Sequence, residues 1–237
     1  MKNKIKLSTV TTYKFGGYCN NFYKISKKNI DLFDEAFSNK QHFILGKGSN
    51  IAFSDDDYQG NVINPDFCEI NYNKNLSEVK VGASVFLPDL ARFYKDKNLI
   101  NAEFLIGIPG SVGGAIKMNA GAYGWELSDI FLSTEVYNLD TKKIETIYKK
   151  DIDFSYRSSN NLDRKVIISA TLIAKEGDPK LIKSRLTENV NYRRKTQPSA
   201  VYNAGSVFKN TDEYSAGELI DRSGLKGFNI EGVKVSD

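Results

Sequence analysis

The stretch GIPGSVGGAIKMNAGAYG, from Gly107 to Gly124, holds six of the 18 glycines of the chain and restricts its fold more than any other feature. Counted from Gly107 the spacing is G-x-x-G-x-x-G-G, which matches neither the G-x-G-x-x-G of a Rossmann turn nor the G-x-x-x-x-G-K-[ST] of a P-loop. Both architectures are thereby set aside, and two readings stay open. Glycines accept positive φ and expose backbone N–H groups in a concave nest, so the stretch, with the Ser111 hydroxyl, would wrap a diphosphate at close range. Alternatively it is a tight loop whose glycines serve only packing. A second segment, LGKGSN from Leu45 to Asn50, places two more glycines directly after a strand pattern, where backbone amides often cradle an anion. Two such loops would line a dinucleotide diphosphate from opposite sides.

The rest of the chain alternates helical and strand periodicities without an internal repeat. Ile30, Phe33, Ala36 and Phe37 fall on one helical face, HFIL (His42–Leu45) reads as a short buried strand, and NVIN (Asn61–Asn64) as another. EVKVGASV (Glu78–Val85) alternates as a strand should. Leu87, Leu90, Ala91 and Tyr94 predict a helix over 87–97, with Pro88 in its first turn. Thr134–Leu139 and Ile144–Tyr148 form a hairpin pattern around DTKK, and VIISATLIA (Val166–Ala174) is the strongest strand signal. Asp178-Pro179 opens a charged helix running to about Arg194, which connects a larger N-terminal part to a smaller one.

Composition narrows the function classes. A chain of 237 residues with 41% hydrophobic residues, 12% aromatics and five prolines is globular, neither disordered nor fibrous. With 33 basic residues scattered among 29 acidic ones without a concentrated block, the net charge of +4 suits an anionic small molecule as well as nucleic acid and by itself favours neither. Cys19, Cys68 and the single His42 offer no metal-ligand spacing, so no metal site is expected. No run approaches the about 18 apolar residues that span a bilayer, and the N-terminus lacks a signal-peptide core. The expectation is a cytoplasmic protein, without membrane insertion or nucleic-acid partner, with both thiols free.

Five segments occur in one order: TTYKFGG (Thr11–Gly17), GKGSN (Gly46–Asn50), the long glycine stretch, DFSYRSS (Asp153–Ser159) and AGSVFKN (Ala204–Asn210). In that order they resemble the UDP-N-acetylenolpyruvoylglucosamine reductase family, and RRKTQP ahead of the last segment is similar to its shorter type. The resemblance runs from about residue 11 to the end. It implies an α+β chain: a two-subdomain FAD-binding fold of the vanillyl-alcohol oxidase-like (PCMH) type, followed by a smaller α/β substrate-binding domain, here incomplete. The implied divisions are 1–66 and 67–177 for the flavin subdomains, 178–195 for the connecting helix and 196–237 for the partial substrate domain.

The family's activity implies noncovalent FAD, NADPH as reductant, and a UDP-sugar, UDP-N-acetylglucosamine enolpyruvate, as substrate of a monomeric enzyme. Hydride would reach the terminal enolpyruvyl carbon and a proton its neighbour. By position, FAD would be held by Gly46, Lys47, Gly48, Ser49, Asn50, Ile108, Pro109, Gly110, Ser111, Gly113, Gly114, Asn119, Ala120, Gly121, Ala122 and Tyr123. Arg157 matches the catalytic arginine, since a fixed guanidinium stabilises carboxylate-conjugated negative charge through paired hydrogen bonds. Ser206 matches the proton donor, a role a hydroxyl fills only where its site stabilises the alkoxide or relays a proton. Asn210, with Lys209, Arg194 and Lys195, would meet the substrate diphosphate. The basic run is equally what a helix C-terminus favours through its dipole.

His42 is expected to pack in its strand, leaving the flavin noncovalent, and Trp125 to pack in the core or a loop. The family's third catalytic residue, a glutamate after a VSDKHA segment, has no counterpart: the chain ends at Val235-Ser236-Asp237, and Glu231 lies in a different segment. Truncation is therefore expected, as is exposed apolar surface in what remains of the substrate domain. Thr211 stands where proline often follows. Two other functions fit the same residues: an FAD-dependent oxidase of an alcohol or sugar, and a flavin- or nucleotide-sugar-binding fragment without catalysis.

Overall fold

The computed structural model describes residues 2–38, 41–197 and 207–236. The chain divides into two compact units, Met1–Ala204 and Gly205–Asp237.

The first unit holds two sheets. In the first, β1 (Lys2–Lys6), β2 (Tyr18–Ile25), β3 (His42–Ile44) and β4 (Tyr58–Pro65) are ordered β1-β2-β4-β3. Here β2 and β3 run parallel to β4, and β1 pairs antiparallel with β2 at the edge. In the second, β5 (Ile70–Asn73), β6 (Glu78–Gly82), β7 (Phe131–Asn138), β8 (Lys143–Tyr148) and β9 (Lys165–Ile173) are ordered β8-β7-β9-β6-β5, antiparallel throughout. The β-branched run predicted over 166–174 thus becomes β9, the central strand. Its Val166 and Ile168 join Tyr23, Ile25 and Ile63 of the first sheet and Phe33 and Ala36 of α1 (Leu32–Ala36), in a cluster shared by the two sheets.

The opposite end of β9 carries Ala170 and Leu172 into the largest apolar cluster. That cluster is roofed by α2 (Leu87–Asp96), α3 (Val112–Lys117) and α4 (Pro179–Thr196). Helix α2 buries Leu87, Leu90, Ala91 and Tyr94, all 1% exposed or less, and Pro88 sits in its first turn. Helix α4 starts where predicted, with the Asp178 carboxylate accepting from the Lys180 amide at 3.0 Å. It buries only Ile182 and Leu186 and lies against the 3₁₀ turn Glu103–Gly107.

Several boundaries move for local reasons. The strand predicted over 78–85 ends at Gly82, because the Phe67 backbone crosses there; a Cβ on Gly82 would lie 2.1 Å from Phe67 O. The first helix begins at Leu32 rather than Ile30, since Ser26 and Asn29 close a separate 3₁₀ turn ahead of it. The β7/β8 hairpin turns on Asn138, whose Oδ1 accepts from the Asp140 and Thr141 amides at 2.9 and 3.3 Å.

In the second unit, Ser215 caps α5 (Ala216–Arg222), and Asn229–Ile230 pairs with Val233–Lys234. Val207, Phe208, Phe228, Ile230 and Val233 are exposed.

Candidate functional site

The two glycine loops meet. Ser49 Oγ donates to Pro109 O at 3.1 Å, a Cβ on Gly46 would lie 2.5 Å from Ser111 Oγ, and one on Gly110 would lie 3.0 Å from Ser49 Oγ. The TTYKFGG segment and the residue before it touch this junction: the Thr12 amide donates to Gly48 O at 2.9 Å, and a Cβ on Gly48 would strike Val10 O at 2.2 Å. Gly48 and Gly110 both adopt positive φ, +66° and +135°. Ser111 caps α3 by accepting from the Gly114 amide at 3.4 Å.

The junction leaves donors free. Among the described residues, the amides of Gly46, Lys47, Gly48, Ser49, Asn50, Gly110 and Ser111 donate to no protein acceptor. Backbone amides rarely go unpaired in a folded protein, and clusters of them suit an oxyanion. Seven unengaged amides on two touching loops fit a diphosphate group. Lys47 extends from the same loop, exposed.

Several glycines of the long stretch have a different purpose. A Cβ on Gly107 would meet Tyr123 Oη at 2.6 Å, on Gly113 Ala83 Cβ at 3.2 Å, and on Gly121 Trp125 O at 2.6 Å. At these three positions the missing side chain makes room for protein, whereas at Gly114 only Ser111 Oγ lies within 4 Å, at 3.5 Å. The packing reading of the sequence therefore holds at Gly107, Gly113 and Gly121, and Gly114 lacks a close protein neighbour of that kind.

The DFSYRSS segment folds onto the far end of the same stretch. Phe154–Ser155 and Ser158–Ser159 form a two-strand ladder with Tyr156 and Arg157 at its turn. Arg157, half-buried at φ +56°, donates from Nη2 to Gly121 O at 3.1 Å and lies 4.7 Å from the Tyr156 ring centroid. Ser159 Oγ donates to Lys117 O at 3.1 Å. Asn119, 1% exposed, donates from Nδ2 to Glu126 Oε2 at 2.7 Å and to Ser155 O at 3.2 Å, while its Oδ1 accepts from the Ser128 amide at 3.1 Å.

Tyr123, at φ +57°, donates its hydroxyl to Asn189 O of α4 at 3.0 Å, and burial pushes that phenol's pKa up. Trp125 stacks on Phe104 with centroids 6.5 Å apart. His42 packs edge-on against Phe37 at 4.7 Å, in its strand as expected. Ile108, Ala120 and Tyr123 pack on the main apolar cluster, and Ala122 pairs with Trp125 in the small hairpin.

Four of the five ordered segments are thus linked to one another by contacts within the first unit. Arg194 and Lys195 are exposed in the last turn of α4. In the second unit Lys209 is exposed, and Asn210 Oδ1 accepts from the Ala216 amide at 3.0 Å. Ser206 lies outside the described residues. Sequence reading missed the part Glu126 plays here. Its signal was E-x-x-D at capping-box spacing: the Glu126 amide donates to Asp129 Oδ2 at 2.8 Å, the reciprocal arrangement of a helix start.

Two sheets with glycine loops left rich in free amides define a flavin-binding protein of the PCMH type, and residues 33–146 match the family described as FAD binding domain. Residues 197–237 match the one described as UDP-N-acetylenolpyruvoylglucosamine reductase, C-terminal domain. Over its full length the chain is 37% identical to the UDP-N-acetylenolpyruvoylglucosamine reductase of Orientia tsutsugamushi (strain Ikeda), covering 80% of that protein. It is 38% identical to the enzyme of the same name from Prochlorococcus marinus subsp. pastoris, with 99% of this chain and 81% of the relative covered. The crystal structure of the reductase (MurB) from Thermus caldophilus superposes with a TM-score of 0.86 at 30% identity, covering all of this chain and 85% of the other. The chain belongs to the UDP-N-acetylenolpyruvoylglucosamine reductase family and is a flavin-dependent oxidoreductase. Among the described residues, no helix is long and apolar enough to cross a membrane.

Proposed function

We propose that this chain carries out the NADPH-dependent, FAD-mediated reduction of UDP-N-acetylglucosamine enolpyruvate to UDP-N-acetylmuramate, a step in peptidoglycan precursor synthesis, as a noncovalent flavoprotein of the cytoplasm. The observation that carries the reading is Arg157 on the glycine stretch: a half-buried guanidinium at a turn position that favours glycine, hydrogen-bonded to Gly121 O. Backbone strain of that kind persists only where the surrounding structure over-determines it.

Bound FAD would supply hydride transfer from a reduced nicotinamide to the terminal enolpyruvyl carbon. The free amides of Gly46–Asn50, Gly110 and Ser111 would hold its diphosphate. Arg157 would bind the substrate carboxylate and stabilise the negative charge that hydride addition places in conjugation with it. In this reading Ser206 delivers the proton to the adjacent carbon, and Arg194, Lys195, Lys209 and Asn210 neutralise the substrate diphosphate.

The test is anaerobic. NADPH should bleach the flavin absorbance of the FAD-loaded protein, and the enolpyruvyl substrate should restore it. Arg157→Ala should keep the flavin and slow the restoration at least 100-fold. Restoration by oxygen alone, with an alcohol or sugar as the bleaching reductant, would instead indicate an oxidase and defeat the proposal.

A further inference from the structure

We infer that Asn119 is a positioning residue that sets the Arg157 guanidinium, rather than a cofactor contact. The inference rests on the reading of Arg157 given above. Asn119 is 1% exposed, and its amide group is fully engaged with protein: both donations from Nδ2 and the acceptance at Oδ1 go to neighbouring segments. It also holds φ +38°, a conformation in which asparagine is among the few tolerated non-glycine residues.

The three bonds tie together the two pieces of chain between which Arg157 is suspended. One piece is the Gly121–Glu126 hairpin, which supplies the Gly121 carbonyl that accepts from Arg157; Asn119 grips it through Glu126, the strand partner of Gly121, and grips the helical turn that follows through Ser128. The other is the Phe154–Ser159 ladder that carries Arg157 at its turn, and Asn119 grips this through Ser155 O. Without the Asn119 amide, the described hydrogen bonds between the two pieces reduce to the Arg157–Gly121 bond, and Ser159 ties the ladder only to Lys117 of α3. Phe154, edge-on to Phe131 at 5.2 Å, then anchors the start of the ladder, and its turn is joined to the hairpin by the Arg157 side chain alone among the described hydrogen bonds.

The experiment uses the full chain loaded with FAD and two variants. Asn119→Gly relieves the backbone and removes the side chain; Asn119→Asp keeps the size and the acceptor for Ser128 but removes both donations. Amide hydrogen exchange should quicken at least tenfold over 154–159 in both variants and stay unchanged over β9 (165–173). Restoration of the flavin by the enolpyruvyl substrate should slow about tenfold in Asn119→Gly, and Asn119→Gly/Arg157→Ala should be no slower than Arg157→Ala alone. Unchanged exchange over 154–159, or effects that multiply in the double variant, would overturn the inference. If the wild-type flavin is not restored by that substrate, the proposed reaction fails, and the exchange measurement alone decides what Asn119 does.

Discussion

Gly48 and Gly124 both sit at positive φ, +66° and +80°, yet one is enclosed and the other open, so replacing each by alanine separates two physical costs. At Gly124 nothing lies within 4 Å of the added Cβ. The penalty is the left-handed conformation alone, about 1–2 kcal/mol. At Gly48 the same penalty applies, but the Cβ also lands 2.2 Å from Val10 O and 2.9 Å from Thr11 Cα, both backbone atoms that cannot swing aside. Relief requires the loop to move, which sacrifices the 2.9 Å Thr12–Gly48 bond and the 3.1 Å Ser49–Pro109 bond, at about 1 kcal/mol each. The expected totals are therefore about 1–2 kcal/mol for Gly124→Ala and about 3–4 kcal/mol for Gly48→Ala. For a chain of this size that corresponds to melting temperatures lowered by about 4 °C and about 10 °C. Measured on the FAD-loaded protein, Gly48→Ala should also weaken FAD retention at least tenfold, since the moved loop carries five of the free amides, while Gly124→Ala leaves it unchanged. Equal losses in both variants would show that loop contact is not what Gly48 provides.

Ser49→Ala removes only the Ser49–Pro109 bond between the loops, so thermal melting should fall by about 1 kcal/mol and FAD should dissociate faster in a dilution assay. Burial, and then the Asp34 carboxylate to which it donates at 2.8 Å, push the Tyr137 phenol up to about 12. The fold favours the neutral phenol, so its contribution is complete below the ordinary value of about 10 and is lost as pH rises through about 12. A Tyr137→Phe variant should lack one late step in an alkaline absorbance titration and lose less stability between those limits. Asp178→Ala uncaps α4 and should cost about 1 kcal/mol in urea unfolding, without changing the flavin spectrum.

Where burial follows a regular period, the fold was legible. Leu87, Leu90, Ala91 and Tyr94 predicted α2 because a helix lying on one sheet face has one apolar stripe. β9 was legible for the opposite reason, since a strand paired on both sides and covered on its faces is apolar nearly throughout. β1 and β2 were not. KNKIK is an edge strand whose lysines protect it from further pairing and hide its strand character. In β2 the register shifts between Cys19 and Asn21 against β4, so Cys19, Phe22, Tyr23 and Ile25 are buried without alternation.

Of the site, the two glycine loops could be named from sequence because glycine density is local. Their meeting through Ser49, Pro109 and Ser111 could not, since it joins residues some 60 apart. The same distinction explains how the glycines function. At Gly46, Gly48 and Gly110 the absent side chain lets one loop or segment approach another, and that contact holds the backbone in conformations where its amides cannot pair with each other. The freedom of those amides is thus a product of packing, and the proposed cradle depends on the contact between the loops. A substitution that separates the loops should cost stability and cofactor together. One that affects only the distal hairpin, around Gly121 and Asn119, should leave the cofactor in place and act on Arg157, whose bond to Gly121 O ties it to that hairpin.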